Sequence, residues 1–167
     1  SFGLESAIAA PIKNSGARPF TFVQLSDSHI GFNKPPNADA RATFREAIAK
    51  VVALPVRPDF IIHTGDVSQL SRDEEFDDAE QMLKAAGLPV FYVPGEHDML
   101  DPEGGKAFLN RFGKGTRGAG WYSFDHRGVH FIGLVNVADL KPGGMGNLGA
   151  EQLKWLTADL AGRPRPR

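Results

Sequence analysis

Residues 90–98 read VFYVPGEHD, an apolar run that halts at a proline and a glycine and then delivers Glu96, His97 and Asp98 in succession. Valine, phenylalanine and tyrosine favour extended backbone, and the Pro-Gly pair ends it. The same arrangement occurs twice upstream. FTFVQL (residues 20–25) runs into SDSH, which carries Asp27 and His29, and DFIIH (residues 59–63) runs into TGD, which carries Gly65 and Asp66. Helix-length segments separate the three runs. Asp39 is placed to cap a helix over residues 40–53 with Phe44, Ile48, Val51 and Val52 on one face. Ser71 and Glu74 have capping-box spacing and open a helix whose face is Phe76, Ala79, Leu83 and Ala86, stopped by Gly87. This alternation predicts βαβ units and a parallel sheet. It also sets all three polar turns beyond the carboxyl ends of the strands, where such sheets bind ligands.

The remaining segments extend this plan. Asp101-Pro102 is read as the start of a shorter helix bearing Phe108, Leu109 and Phe112. WYSFD (121–125), the turn HRG and VHFIGLV (129–135) read as a hairpin, and AEQLKWLTADLAG (150–162) as a last helix with Leu153, Leu156 and Leu160 inward. Residues 1–19 lack a sustained period and are read as an arm, residues 20–162 as the domain, and 163–167, RPRPR within a basic end, as a Pro-broken tail.

Composition narrows the chemistry. The chain holds 167 residues, 41% hydrophobic and 23% charged, which is enough apolar material for one core. Net charge is −1, so no bulk attraction to nucleic acid or an anionic membrane exists, and a nucleic-acid partner is not expected. Cysteine is absent, which leaves His, Asp, Glu and Asn as the metal donors. No apolar run reaches the roughly 18–20 residues of a membrane span. The chain begins SFGLESAIAAP, an Ala-rich stretch that fits the neighbourhood of a signal-peptide cleavage point, so a periplasmic or secreted location is expected, with the cytoplasm as the alternative.

Asp27 and His29, two apart at a strand end, offer an oxygen and a nitrogen to Zn, Mn or Fe. Asp66 has two oxygens with which to bridge two ions, and Gly65 permits the tight turn ahead of it. Two ions about 3.5–4 Å apart activate water and hold a phosphate for in-line attack. His97 would protonate the leaving oxygen, with Asp98 orienting its ring. Taken singly each turn is weak, since Asp and His beside Gly are ordinary turn residues. Three of them after three consecutive runs are specific. His63 and His130 lie inside apolar runs and are read as core or supporting histidines, and His126 as a solvated turn residue. Asp73, Glu74, Glu75, Asp77 and Asp78 are read as a solvated face favoured by the helix dipole. Trp121, Tyr122 and Phe124 are assigned to the core.

These residues resemble the calcineurin-like metallophosphoesterase family, whose pattern is D-x-H, G-D, G-N-H-D/E, then a lone His and G-H-x-H. Asp27-Ser28-His29, Gly65-Asp66 and Gly95-Glu96-His97-Asp98 match the first three, and WYSFDHRGVHFIGLV and LGAEQLKWL resemble the following strand pair and helix. The resemblance implies an α/β class fold, an α/β/β/α sandwich with mixed sheets, two divalent or trivalent transition-metal ions (Mn, Fe or Zn), and hydrolysis of a small phosphorylated substrate, a monoester or a diester. It implies Asp27, His29, Asp66 and Glu96 as metal ligands and His97 with Asp98 as the proton-handling pair. DSHIGF with VPGEHD is similar to exported bacterial members.

Two departures shape the expectations. Glu96 stands where the family has asparagine, adding a negative charge that disfavours a dianionic monoester. No histidine follows His130, so the chain is expected to be the N-terminal part of the domain, with incomplete metal loading and an apolar edge that favours homo-oligomers. A catalytically silent metal- or ligand-binding protein on the same fold is the alternative.

Overall fold

The computed structural model describes residues 19–141 and 144–163, so the arm and most of the basic tail lie outside the described residues. Three strands, β1 (Phe22–Leu25), β2 (Phe60–His63) and β3 (Val90–Tyr92), form a parallel sheet in that order, with Phe22 opposite Phe60 and Ile62 opposite Phe91. β4 (Tyr122–His126) and β5 (Val129–Gly133) form a separate antiparallel pair. Parallel and antiparallel pairings are thus both present, each in its own sheet among the described residues.

Strand alternation builds the layers. On one face of the parallel sheet, Val23, Leu25, Ile61, Val90 and Tyr92 meet the apolar stripes of α1 (Ala40–Val52) and α2 (Asp73–Lys84), where Phe44, Ile48, Phe76, Ala79 and Leu83 are buried. On the other face, Phe22, Phe60 and Phe91 meet the hairpin. Phe91 stacks on Phe124 with centroids 3.8 Å apart, and Phe60 sets its ring edge-on to Phe131 at 5.3 Å. The opposite face of the hairpin carries α4 (Gly149–Ala161), through His130 to Asp159 and Ser123 to Asp159. The order helices, sheet, hairpin, helix is the α/β/β/α arrangement expected.

Several local expectations are corrected. Asp39 caps α1 by accepting from the Ala42 N–H at 2.9 Å, but Val52 is 60% exposed, because it lies one residue round from the Ile48–Val51 stripe. α2 is capped one residue later than its sequence implied. Glu75, not Glu74, reaches back to the N–H groups of Leu70 (2.8 Å) and Arg72 (3.3 Å) and is itself buried rather than solvated. Asp101 does not start α3 (Lys106–Phe112). It accepts instead from Glu103 and Gly105 within its own turn. His126 is not a solvated residue, since its Nε2 lies 2.7 Å from Asp59 and its ring meets Phe20 and Phe60.

α4 also differs. Leu153 and Leu160 are about half exposed, and the inward face is polar at its centre. Gln152 is 1% exposed, receives the Val135 N–H at 2.8 Å and donates to the Val135 carbonyl at 2.6 Å. This amide closes the backbone hydrogen bonds that β5 leaves open where it ends. Replacing Gln152 by leucine strands both Val135 groups, and a buried polar group without a partner costs about 1–3 kcal/mol. Urea unfolding of Gln152→Leu is expected to show a loss of at least about 2 kcal/mol, with the m-value unchanged.

Candidate metal centre

The three polar turns follow β1, β2 and β3, and the strand pairing does not stop where the strands do. Asp27 N–H donates to the Gly65 carbonyl at 3.0 Å, His29 N–H to Asp66 at 2.9 Å and Ile30 N–H to Val67 at 3.0 Å. Within this continued pairing Asp27, His29 and Asp66 adopt left-handed backbone, with φ of 57°, 41° and 52°. Such residues cost about 1–3 kcal/mol each and persist only where their surroundings hold them. Gly65 has φ +109°, and a side chain there would come within 2.5 Å of the Gly95 nitrogen. A side chain at Gly95 would collide with Asp66. The two glycines let the second and third turns touch.

The kinks converge the side chains. His29 Nε2 lies 3.6 Å from Asp66 Oδ2 and 3.7 Å from Asp27 Oδ1. Donor atoms of His29, Asp66 and His97 all lie within 4.8 Å of one another, and the two imidazole rings meet edge-on at 4.8 Å. Asp66 belongs to a second group as well. With Asp27 and Glu96 it lines a cleft of about 260 Å³ whose described lining contains no lysine or arginine. Three acids on one cleft with no lysine or arginine in its described lining, beside two imidazoles, form an oxygen and nitrogen donor set suited to divalent metal ions. The residues present therefore fit metal ions. Glu96 and Asp27 are both exposed on the cleft wall and lie outside the His29–Asp66–His97 cluster, Asp27 meeting it only through His29.

His97 is anchored by backbone. Its N–H donates to Asp66 Oδ1 at 2.9 Å, and its Nδ1 lies 2.7 Å from the Gln69 carbonyl. A carbonyl only accepts, so Nδ1 carries the proton and Nε2 faces the site with a free lone pair or, in the imidazolium, a second N–H. The orienting group is Gln69 and not Asp98, which corrects the expected role of Asp98. The Asp98 carboxylate, fully buried, accepts from Val67 N–H (3.1 Å), Ser68 N–H (2.8 Å), Ser68 Oγ–H (2.8 Å) and Gly95 N–H (3.0 Å). Burial pushes its carboxyl above the ordinary range, and those donors pull it back. Asp98 thereby clamps the third turn onto the second. Ser71, at φ 55°, adds a further tie by donating to the His97 carbonyl at 2.8 Å and accepting from Leu100 N–H.

His63, at the end of β2, has no exposed surface. Burial pushes it down to about 4, opposed by Asp27 and assisted by His29, so the ring is neutral at pH 7. This agrees with its reading as a supporting histidine. The sequence alone gives no role at the site to Ser68 or Gln69, and gives Ser71 only as a helix cap. Their signal was the polar run VSQLS after GD, which alternates too little with apolar residues for a helix or strand.

Residues 20–162 match the family of calcineurin-like phosphoesterases. The chain belongs to that family. A probable glycerophosphodiester phosphodiesterase of Arcobacter nitrofigilis is 26% identical over 152 residues, 83% of this chain and 50% of the relative. The DNA double-strand break repair protein Mre11 of Thermoplasma acidophilum is 30% identical over 118 residues, 66% of this chain and 28% of the relative. A 3',5'-cyclic adenosine monophosphate phosphodiesterase of Haemophilus influenzae is 29% identical over 79 residues, 46% of this chain and 29% of the relative. The chain spans half or less of the length of these relatives. Among solved structures, a purple acid phosphatase from yellow lupin superposes with a TM-score of 0.58 at 17% identity, covering 91% of this chain and 29% of that one. That likeness concerns the fold, which is the metallophosphoesterase fold.

The clamp makes a sharp prediction. Asp98→Asn turns one acceptor oxygen into an amide that faces N–H donors, so unfolding free energy is expected to fall by about 3 kcal/mol. Urea titration of the two proteins measures it.

Proposed function

We propose that this chain carries the metal centre of a hydrolase that cleaves phosphoric diesters. The observation that carries the reading is the convergence of His29, Asp66 and His97 beside a cleft walled by Asp27, Asp66 and Glu96. Asp27, His29 and Asp66 would hold one metal ion, and Asp66 and Glu96 are the residues that would contribute to a second. When bound, the ions supply Lewis-acid activation of the attacking water and offset the charge of the phosphate. His97, with its Nδ1–H fixed on the Gln69 carbonyl, presents Nε2 for proton transfer to the leaving oxygen. Asp98 acts on that histidine through the backbone, by holding Gly95 and the second turn in contact.

Glu96 sets the preference for diesters. Its negative charge on the cleft wall repels a dianionic monoester more than a singly charged diester. Two of the relatives named above are phosphodiesterases by name, which supports the same choice. A cleft of about 260 Å³ suits a small substrate rather than a duplex. The resemblance of DSHIGF and VPGEHD to exported bacterial members supports a periplasmic place of action.

A second reading, a protein that binds one ion without turnover, has one observation in its favour: Glu96 and Asp27 both stand outside the single cluster of three donors found among the described residues. Hydrolysis of bis(p-nitrophenyl) phosphate and p-nitrophenyl phosphate by the Mn²⁺-loaded protein separates the two. Turnover is expected to be weak, as incomplete metal loading implies, and to favour the diester, with Glu96→Asn lowering the diester-to-monoester ratio about tenfold, equivalent to about 1.4 kcal/mol. An unchanged ratio contradicts the role given to Glu96, and metal binding without turnover of either ester favours the second reading.

A further inference from the structure

The middle residue of the D-x-H turn, Ser28, is buried between its two neighbours. Its hydroxyl donates to the Val67 carbonyl at 3.0 Å and lies 3.0 Å from His63 Nε2. A hydroxyl has one hydrogen, and a carbonyl only accepts. The Ser28 hydrogen is therefore committed to Val67, and His63 Nε2–H donates to Ser28 Oγ. The chain of bonds runs from the end of β2 through the first turn to the second turn. It lies beside the backbone bonds that hold Asp27 and His29 in left-handed conformation.

His63 has no other protein partner among the described residues. Its Nδ1 is buried without a hydrogen bond, and its ring lies between those of Phe44, edge-on at 6.1 Å, and Tyr92, stacked at 6.3 Å. A core that needed only volume here would be served by phenylalanine, without the cost of desolvating an imidazole. What the imidazole adds is the bond to Ser28.

We propose that His63, acting through Ser28, is a positioning residue for the metal centre, holding the Asp27–His29 turn in the left-handed backbone that aims both side chains at one point. This rests on the reading of Asp27 and His29 as metal ligands. Without the His63 donor, Ser28 keeps its bond to Val67 but is free to swing about it, and the strained turn relaxes toward ordinary backbone angles. Loss of a group that supports a ligand in this way typically weakens metal binding by about 10–100-fold.

The test is Mn²⁺ titration of the full chain, followed by the electron paramagnetic resonance signal of free Mn²⁺, with melting temperatures measured in parallel. Ser28→Ala and His63→Phe are each expected to raise the Kd for Mn²⁺ at least about tenfold, and the double variant no further than the worse single one. His63→Gln, whose amide nitrogen reaches toward the Nε2 position, is expected to recover most of the affinity. Phe44→Leu disturbs the same core without touching Ser28 and is expected to lower the melting temperature with Kd unchanged. Wild-type affinity in Ser28→Ala overturns the proposal, and it decides the matter even where His63→Phe does not fold. So does a loss in Phe44→Leu equal to that in His63→Phe. A wild-type chain that binds no Mn²⁺ overturns the ligand reading itself and this proposal with it, a result distinct from intact binding that is indifferent to His63.

Discussion

The backbone hydrogen bonds that carry parallel pairing past the ends of β1 and β2 are the constraint on which the site depends. Asp27, His29 and Ile30 donate to Gly65, Asp66 and Val67, three acceptors in a row. A loop free of this pairing would let Asp27 and His29 leave the left-handed region, and their side chains would diverge. Held by it, the kinks turn Asp27 Oδ1 and Asp66 Oδ2 toward the same imidazole nitrogen. The third turn is added by a different means. Asp98 draws the N–H groups of Val67, Ser68 and Gly95 onto one carboxylate, and the glycine pair at 65 and 95 makes that approach sterically open.

The electrostatics follow from the same arrangement. Asp27, Asp66 and Glu96 bring negative charge to a cleft with no lysine or arginine in its described lining. Left alone, this cleft would repel any phosphate. Under the proposed function, bound metal ions would reverse its sign, and the left-handed turns would be the means of gathering their ligands. Neutral His63 behind the centre adds no competing positive charge. The fold's cost in backbone strain is offset by buried hydrogen bonds, those to Asp98 among them, that stabilise the chain and hold this geometry together.

Much of this was legible in the sequence because it is written locally. The three apolar runs, the intervening helices and the placement of DSH, GD and GEHD at strand ends follow from periodicity and turn chemistry, and Gly65 was identifiable from its neighbour. The cap at Asp39 was legible for the same reason. What was not legible depends on partners distant in sequence. Ser71 looked like a helix cap, but its hydroxyl is engaged by the His97 carbonyl and Leu100, so the cap passed to the next residue and the closing role to Glu75. Asp98 looked like the histidine's orienting group because the two are adjacent, yet its carboxylate is committed to Gly95 in its own turn and to Val67 and Ser68, about thirty positions away. The leucines of α4 suggested an apolar face, where Gln152 and Asp159 supply a polar one fitted to the end of β5 and to His130.

Whether three turns at one sheet edge assemble a metal centre around Asp66 is decided by crystallography with Mn²⁺ and anomalous scattering at the manganese edge. An anomalous peak within coordinating distance of an Asp66 oxygen and a His29 nitrogen is expected, with Asp27 on the same ion and a second peak on the Glu96 side. A site empty at saturating Mn²⁺, or a peak that does not touch Asp66, would contradict this assembly.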